Sequence, residues 1–314
     1  MDSQLTRRSF LAAAATATVA GAMRPSTLFA APALPPMALG LLIAPFGAPE
    51  SRFKVLQELG LNNCFLSLDG YLGGGFTAEV VAQYRELIAK YGVTVTTVEV
   101  VGPQPLVWNF AKGPSTIGLV PREYRQKRID ALREASDFGH ALGVTQVQTH
   151  CGFMPEDPAD PLWGETVEAI RTVAKHCEGN GQYFLMETGQ ETPTTMSRMI
   201  YEVKMANVGV GLDTANLILY GKANPVDAVD ILGPHVRAIH AKDGKWPTNP
   251  MELGEEVVIG KGLVNFREVF SKLRAIGYTG AVTIERETSG PQQIEDVRHE
   301  KMYLQKILNE VTAG

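Results

Sequence analysis

Four side chains able to ligate a hard cation close four successive apolar runs in the second half of the chain: Glu187 ends YFLME, Asp213 ends VGVGLD, His240 ends VRAIH and Glu285 ends AVTIE. Each run has the length and flanks of a buried parallel strand. A carboxylate at the end of an apolar strand is costly unless it is paired, hydrogen-bonded or bound to metal. A structural ion pair accounts for any one of these acids, but poorly for acids or imidazole closing four strands in a row. Two Glu, one Asp and one His make a mostly oxygen donor set suited to Mn²⁺ first, with Mg²⁺, Co²⁺ or Zn²⁺ as alternatives. Four protein ligands leave coordination positions open for substrate oxygens. A divalent ion held there would grip the adjacent carbonyl and hydroxyl oxygens of a hydroxy-ketone or hydroxy-aldehyde and stabilise the enediolate formed on proton removal. One glutamate removes the proton and a second, on the opposite face, returns it. That pair permits epimerisation, or isomerisation when the proton returns to the neighbouring carbon.

Residues so far apart in sequence meet only if a parallel barrel gathers its strand C-termini at one face. After the Pro-rich stretch 32–36, strands are expected at 38–44, 63–68, 93–99, 144–149, 183–187, 208–213, 236–240 and 281–285. Amphipathic helices are expected at 50–59, 78–91, 121–142, 161–179, 195–205, 225–232, 266–276 and 291–311. Gly60, Gly92, Gly143 and Gly277 each follow a helical run and precede a strand, as helix stops do. These repeating units favour an α/β (β/α)8 TIM barrel over residues 37–314 rather than an open doubly wound sheet. No GxGxxG follows the first strand, so a dinucleotide fold has little support. The long connections 101–120 and 241–262 leave strand C-termini and should overhang the active face.

Further candidates sit at or beyond those strand ends. His150 ends the fourth strand in QTHCG and would face the same pocket, as a rim residue, a substrate contact or a ligand to a second metal. Glu99 ends the third in VEVVG, where it would bind substrate hydroxyls or a structural partner. Lys242 follows His240 and is read as a substrate contact or a support for the ligands. Trp108, Phe110, Trp163 and Trp246 lie on or near strand-end loops, where aromatic faces stack on sugar rings or simply pack the loop. Gly260-Lys261-Gly262 has no other Walker-like feature beside it and is discounted as a phosphate loop. Cys151 adjoins His150, but adjacent strand residues point to opposite faces, so the two make no nucleophile pair. His140, His176, His235 and His299 fall in helical or connecting stretches, which argues against a multinuclear zinc site.

An apolar content of 45% supports a large core, and a net charge of −5 argues against a nucleic-acid partner. The sequence Thr6-Arg7-Arg8-Ser9-Phe10-Leu11 and the Ala-rich stretch behind it resemble a twin-arginine (Tat) export signal. Residues 1–33 are therefore expected to be a leader, with Ala30, Ala31 and Ala33 offering cleavage points and the periplasm as destination. No apolar stretch after the first forty residues is long enough to span a bilayer, so no membrane insertion is expected once the signal is removed. Cys64, Cys151 and Cys177 are too few and too odd in number for a disulfide scaffold.

In the order MET, GLDTAN, IHAKD, VIGKGLVNF and TIERE, the chain resembles the xylose-isomerase-like barrel superfamily, in its sugar phosphate isomerase/epimerase branch. That branch includes ketose 3-epimerases, hydroxypyruvate isomerases and inosose dehydratases, and the resemblance runs from about residue 37 to 311. It implies that Glu187, Asp213, His240 and Glu285 are metal ligands, that the two glutamates move protons, and that the protein self-associates as dimers or tetramers. Two departures bear on substrate. Family epimerases commonly carry a substrate-contacting His where this chain has Asn216. They also carry a gripping Arg a few residues past the metal His, where this chain reads Lys242, Asp243, Lys245 and Trp246. The expected function is an exported, metal-dependent isomerase or epimerase of an unphosphorylated keto-sugar or polyol ketone. A lyase or dehydratase acting on a 3-keto-glycoside or inosose-like ketone is the first alternative, and a noncatalytic periplasmic sugar-binding barrel the second.

Overall fold

The computed structural model describes residues 34–313. The twin-arginine motif and leader expected at 1–33 lie outside the described residues. The barrel strands are β1 (Leu39–Ile43), β2 (Asn63–Ser67), β3 (Thr94–Glu99), β4 (Gln146–Thr149), β5 (Tyr183–Glu187), β6 (Val208–Asp213), β7 (Val236–Ala241) and, after an intervening hairpin, β10 (Val282–Ile284). They close in the order β1-β10-β7-β6-β5-β4-β3-β2, with every neighbouring pair parallel. The expected (β/α)8 barrel is the observed one, and every expected strand and long helix is present with its ends displaced by two residues at most. Parallel strands covered on both faces read as near-continuous apolar runs, which is why this pattern carries so directly into structure.

Two apolar layers hold the barrel. The larger lies between strands and helices, and a small plug of Phe65, Leu185 and Ala238 fills the lumen. Leu185 and Ala238 stand two residues before Glu187 and His240, so strand alternation points all four side chains inward. The plug is thus the apolar floor beneath the acids. Gly211 is required by the same crowding: a Cβ there would lie 1.9 Å from Gln148 Oε1, which reaches across the lumen.

The helices begin and stop on local chemistry. The helix expected from 195 starts earlier, as Pro193–Val203, because Thr192 Oγ1 accepts the Thr195 N–H at 3.2 Å and Pro193 occupies the first turn. At the other end of the helix Ala78–Tyr91, Gly92 takes φ 60°, the left-handed conformation that closes a helix most cheaply for glycine.

Both long connections carry structure that the apolar periodicity did not reveal. The first contains the short helix Gly113–Thr116. The second folds as an antiparallel hairpin of β8 (Asp243–Lys245) and β9 (Glu255–Val257). Asp243 ties the hairpin to the following loop. Its Oδ1 accepts from the amides of Gly244 and Val264 at 2.9 and 3.0 Å, and its Oδ2 from those of Gly260 and Gly262, both at 2.9 Å. The Gly260 and Gly262 amides therefore face an internal carboxylate rather than a phosphate, and that of Lys261 donates to the Val258 carbonyl at 3.0 Å. Asp243→Ala would leave these partly buried donors unmatched, an expected loss of about 3 kcal/mol. A melting temperature lowered by several degrees, with faster proteolysis within 246–262, would show it; an unchanged melt would mean the loop holds without Asp243.

All three cysteines are free and buried. Among the described residues, no helix is long and apolar enough to cross a membrane.

Candidate metal centre

Register brings the four predicted ligands together. Asp213 and His240 are paired across β6 and β7, and Glu285 follows directly on Ile284, which pairs with Ala241. Glu187 closes β5 beside Gly211 of β6. One ligand atom from each of Glu187, Asp213, His240 and Glu285 lies within 4.8 Å of all the others. His240 Nδ1 stands 3.0 Å from Glu187 Oε1 and 3.1 Å from Glu285 Oε2. The imidazole is braced edge-on by Phe65, ring centroids 4.5 Å apart. Asp213 Oδ1 accepts from the amides of Ala215 and Asn216 at 2.8 and 2.7 Å, which leaves Oδ2 to face the cluster. Thr188 locks β5 to β6 behind it, donating to the Asp213 carbonyl and accepting its N–H.

These residues fit a divalent cation. Asp213 Oδ2, Glu285 Oε2 and His240 Nε2 are buried without a well-formed hydrogen bond, although Lys242 Nζ lies 3.3 Å from Asp213 Oδ2 and His240 Nδ1 3.1 Å from Glu285 Oε2. Buried polar atoms of this kind are rare and call for an explanation. Two free carboxylate oxygens, a third carboxylate and an imidazole nitrogen at one point are the donors a hard or borderline ion requires.

Electrostatics within the cluster are strongly coupled. Burial acts to lower the pKa of His240, but Glu187 and Glu285 outweigh it and hold the imidazolium well above its ordinary range. Burial likewise opposes the ionisation of Glu285, yet Lys242 and His240 keep its carboxyl well below the usual value. Asp213 moves the other way: its burial dominates and Lys242 only partly offsets it.

Around the cluster lies a cavity of about 350 Å³, within the range of small-molecule sites. Glu99, Trp108, His150, Glu187, Asn216 and Glu285 all line it. A larger groove of about 770 Å³ runs along the outside of the barrel between the helices Pro49–Glu58 and Pro291–Ala313, and contains none of these residues. Size is a poor guide here, because the groove is walled by surface side chains whereas the smaller cavity holds the buried acids.

His150 reaches the centre directly: Nε2 is 3.3 Å from Glu187 Oε2, Nδ1 meets the Gln190 side chain, and Trp108 packs edge-on against its ring at 5.1 Å. Glu99 sits next to Glu187 through a shared neighbour, with Gln148 Nε2 3.1 Å from Glu187 Oε2 and 3.5 Å from Glu99 Oε1. Burial and then Glu187 raise the Glu99 carboxyl well above its ordinary pKa. Neither Lys242 nor Trp246 lines the cavity, and of the two roles expected of Lys242, substrate contact or support for the ligands, its contacts are those of the second. Lys242 is buried under the ligands, 3.4 Å from Glu285 Oε1 and 2.6 Å from Glu287 Oε1. Trp246 follows the end of β8 and is exposed beside Gly221. Trp163 lies buried in the helix Pro161–Gly179 with Arg198 over its ring, rather than in a strand-end loop.

Several residues in or beside the cavity were not anticipated. Gln148 is two residues before His150, so alternation along β4 already aims it inward. Glu256 and Glu287 line the cavity from the hairpin and from beyond β10, where no strand periodicity exists to place them. Tyr220 also lines it, its buried hydroxyl lacking a hydrogen-bond partner. Since His150 and Gln148 share one oxygen of Glu187, His150→Gln should misalign that carboxylate and reduce turnover about tenfold. Steady-state kinetics against a melting curve would separate this from unfolding; unchanged kcat would remove His150 from the machinery.

A closed eight-stranded barrel bearing an acid–histidine cluster at the C-terminal ends of its strands defines a TIM-barrel protein with a candidate metal centre. The chain belongs to the xylose isomerase-like TIM barrel family, whose model matches residues 53–307. A xylose isomerase domain protein from Planctomyces limnophilus is 29% identical, with a TM-score of 0.83 over 89% of this chain and 100% of that one. A D-tagatose 3-epimerase-like protein is 20% identical, with a TM-score of 0.69 over 88% of this chain and 99% of the other. An uncharacterised protein of Methanocaldococcus jannaschii is 26% identical over 182 residues, which are 52% of this chain and 58% of that relative's length.

Proposed function

We propose that the protein is a divalent-metal-dependent isomerase or epimerase of an unphosphorylated keto-sugar or polyol ketone, exported by the twin-arginine route. The observation that carries this reading is the pair of carboxylates Glu187 and Glu285, each within 3.1 Å of His240 Nδ1 and both lining one cavity. Two glutamates reaching one point from β5 and from the end of β10 offer a base and an acid to the same carbon. A divalent cation held by Glu187, Asp213, His240 and Glu285 would polarise the substrate carbonyl and favour loss of the adjacent proton. Glu187 or Glu285 takes that proton, and the other returns one from the opposite side. His150 and Gln148 fix the orientation of Glu187, while Lys242 fixes that of Glu285. The D-tagatose 3-epimerase-like relative supports the epimerase form of the reading.

The crowd of carboxylates also bears on substrate class. Glu99, Glu256 and Glu287 add to the ligand acids along the cavity wall, so a phosphorylated or carboxylated substrate meets repulsion there. A neutral polyol ketone does not.

A second reading, a lyase or dehydratase acting on a 3-keto-glycoside or inosose-like ketone, is favoured by Asn216. It occupies the cavity wall three residues past Asp213, where family epimerases carry a histidine. NMR in D₂O of the Mn²⁺-loaded protein with ketoses and 3-keto-glycosides tests both. Deuterium beside the carbonyl with a rearranged sugar supports the isomerase or epimerase, and a released aglycone or water supports the lyase. A compound that binds without exchange would overturn both and leave a sugar-binding barrel.

A further inference from the structure

Lys242 has an unusual position for a lysine. It is 1% exposed, lies at the junction of β7 and β8, and does not reach the cavity. Thr214 holds its backbone from both sides, donating to the Lys242 carbonyl at 2.7 Å and accepting its N–H at 3.2 Å. Its ammonium touches three carboxylates: Asp213 Oδ2 at 3.3 Å, Glu285 Oε1 at 3.4 Å and Glu287 Oε1 at 2.6 Å. Two of these belong to the candidate metal centre. The third, Glu287, makes the shortest of the contacts and is 56% exposed.

We propose that Lys242 is a resident counter-cation of the metal centre, which keeps the ligand carboxylates folded in place before an ion arrives and weakens the hold on that ion afterwards. The inference rests on the metal-centre reading and concerns how the ligand set is balanced. Buried acids without a cation repel one another and pay for desolvation. A lysine carries its charge with the chain, so the cluster is partly neutralised at all times. The same charge opposes a divalent ion that shares Asp213 and Glu285. Glu287 limits this opposition by anchoring the ammonium through the shortest of its three contacts, to a carboxylate outside the ligand set. The ammonium meets Asp213 Oδ2 only at 3.3 Å and Glu285 through Oε1, so that Glu285 Oε2, 3.1 Å from His240 Nδ1, is not taken by it.

Two substitutions of opposite expected sign test this. Lys242→Met keeps most of the length of the side chain and removes the charge. In excess chelator its melting temperature should fall by about 5–10 °C, while Mn²⁺, titrated against a fluorescent chelator, should bind roughly 10-fold tighter or more. Glu287→Gln releases the ammonium towards the ligands, so Mn²⁺ should bind roughly 3- to 10-fold more weakly with little change in the chelated melt. The second effect should vanish when both substitutions are combined, because Glu287 acts through Lys242. Mn²⁺ affinity that is unchanged or weaker in Lys242→Met, or a Glu287→Gln effect that persists undiminished in the double variant, would overturn the proposal. Should Lys242→Met not fold, Glu287→Gln decides alone, and unchanged affinity there is sufficient to reject it. Wild-type protein that binds neither Mn²⁺ nor Mg²⁺ would instead sink the metal centre itself, before any substitution is made.

Discussion

Glu187→Gln and Glu285→Gln are each expected to lower turnover by roughly 10³-fold or more, since each removes a ligand charge and a proton carrier at once. Glutamine keeps the size of the side chain and one acceptor oxygen, so a fall of this size would not reflect a cavity. The two variants should also differ in kind. Glu187 is held by Gln148 and His150, whereas Glu285 is held by Lys242, so on the proposed mechanism the two carboxylates would meet a substrate from different walls. In an epimerase each serves one face of the reacting carbon. Deuterium wash-in, followed separately from the two epimers, should then survive in one epimer for Glu187→Gln and in the other for Glu285→Gln, at much reduced net conversion. Equal loss from both epimers would point to a single base and therefore towards the lyase. Full activity in either variant would end the two-glutamate mechanism.

How much of this was legible beforehand follows from where each residue sits. Glu187, Asp213, His240 and Glu285 close runs that are buried on both faces, and a buried parallel strand shows itself as an uninterrupted apolar run with a sharp end. Position on the strand was enough to place them, because a closed barrel leaves only one face where its C-termini can meet. Glu99 and His150 were visible for the same reason. Glu287 and Glu256 were not, since they lie past β10 and on a short hairpin. Their placement depends on contacts such as Arg286 to Glu256 at 2.8 Å, which no periodicity encodes. Lys242 illustrates the limit from the other side. Its neighbourhood with His240 in sequence located it correctly, but β7 ends at Ala241, so strand alternation no longer sets its direction and Thr214 holds its backbone instead. Its ammonium meets Asp213 and Glu285 without lining the cavity.

Asp213→Asn should separate metal binding from folding more cleanly than any other change. The side chain is fully buried, and Oδ1 is already committed to the amides of Ala215 and Asn216. An asparagine can preserve that acceptor only by placing its NH₂ where Oδ2 now stands. A donor would then face Lys242 Nζ, 3.3 Å away, and any cation in the cluster. Burial already raises the Asp213 carboxyl well above its ordinary pKa, so the fold gains little from its charge and the chelated melt should move only slightly. Metal affinity should suffer far more, by roughly 100-fold for a lost ligand. With Mn²⁺ at 100 times the wild-type Kd, the stabilisation by binding should drop from about 2.7 to about 0.4 kcal/mol. Calorimetry with and without chelator reads this directly, as a metal-induced rise in Tm of several degrees that shrinks to about one degree. A wild-type rise retained in Asp213→Asn would mean that the ion is held without Asp213. The centre would then have to be rebuilt around Glu187, Glu99 and His150.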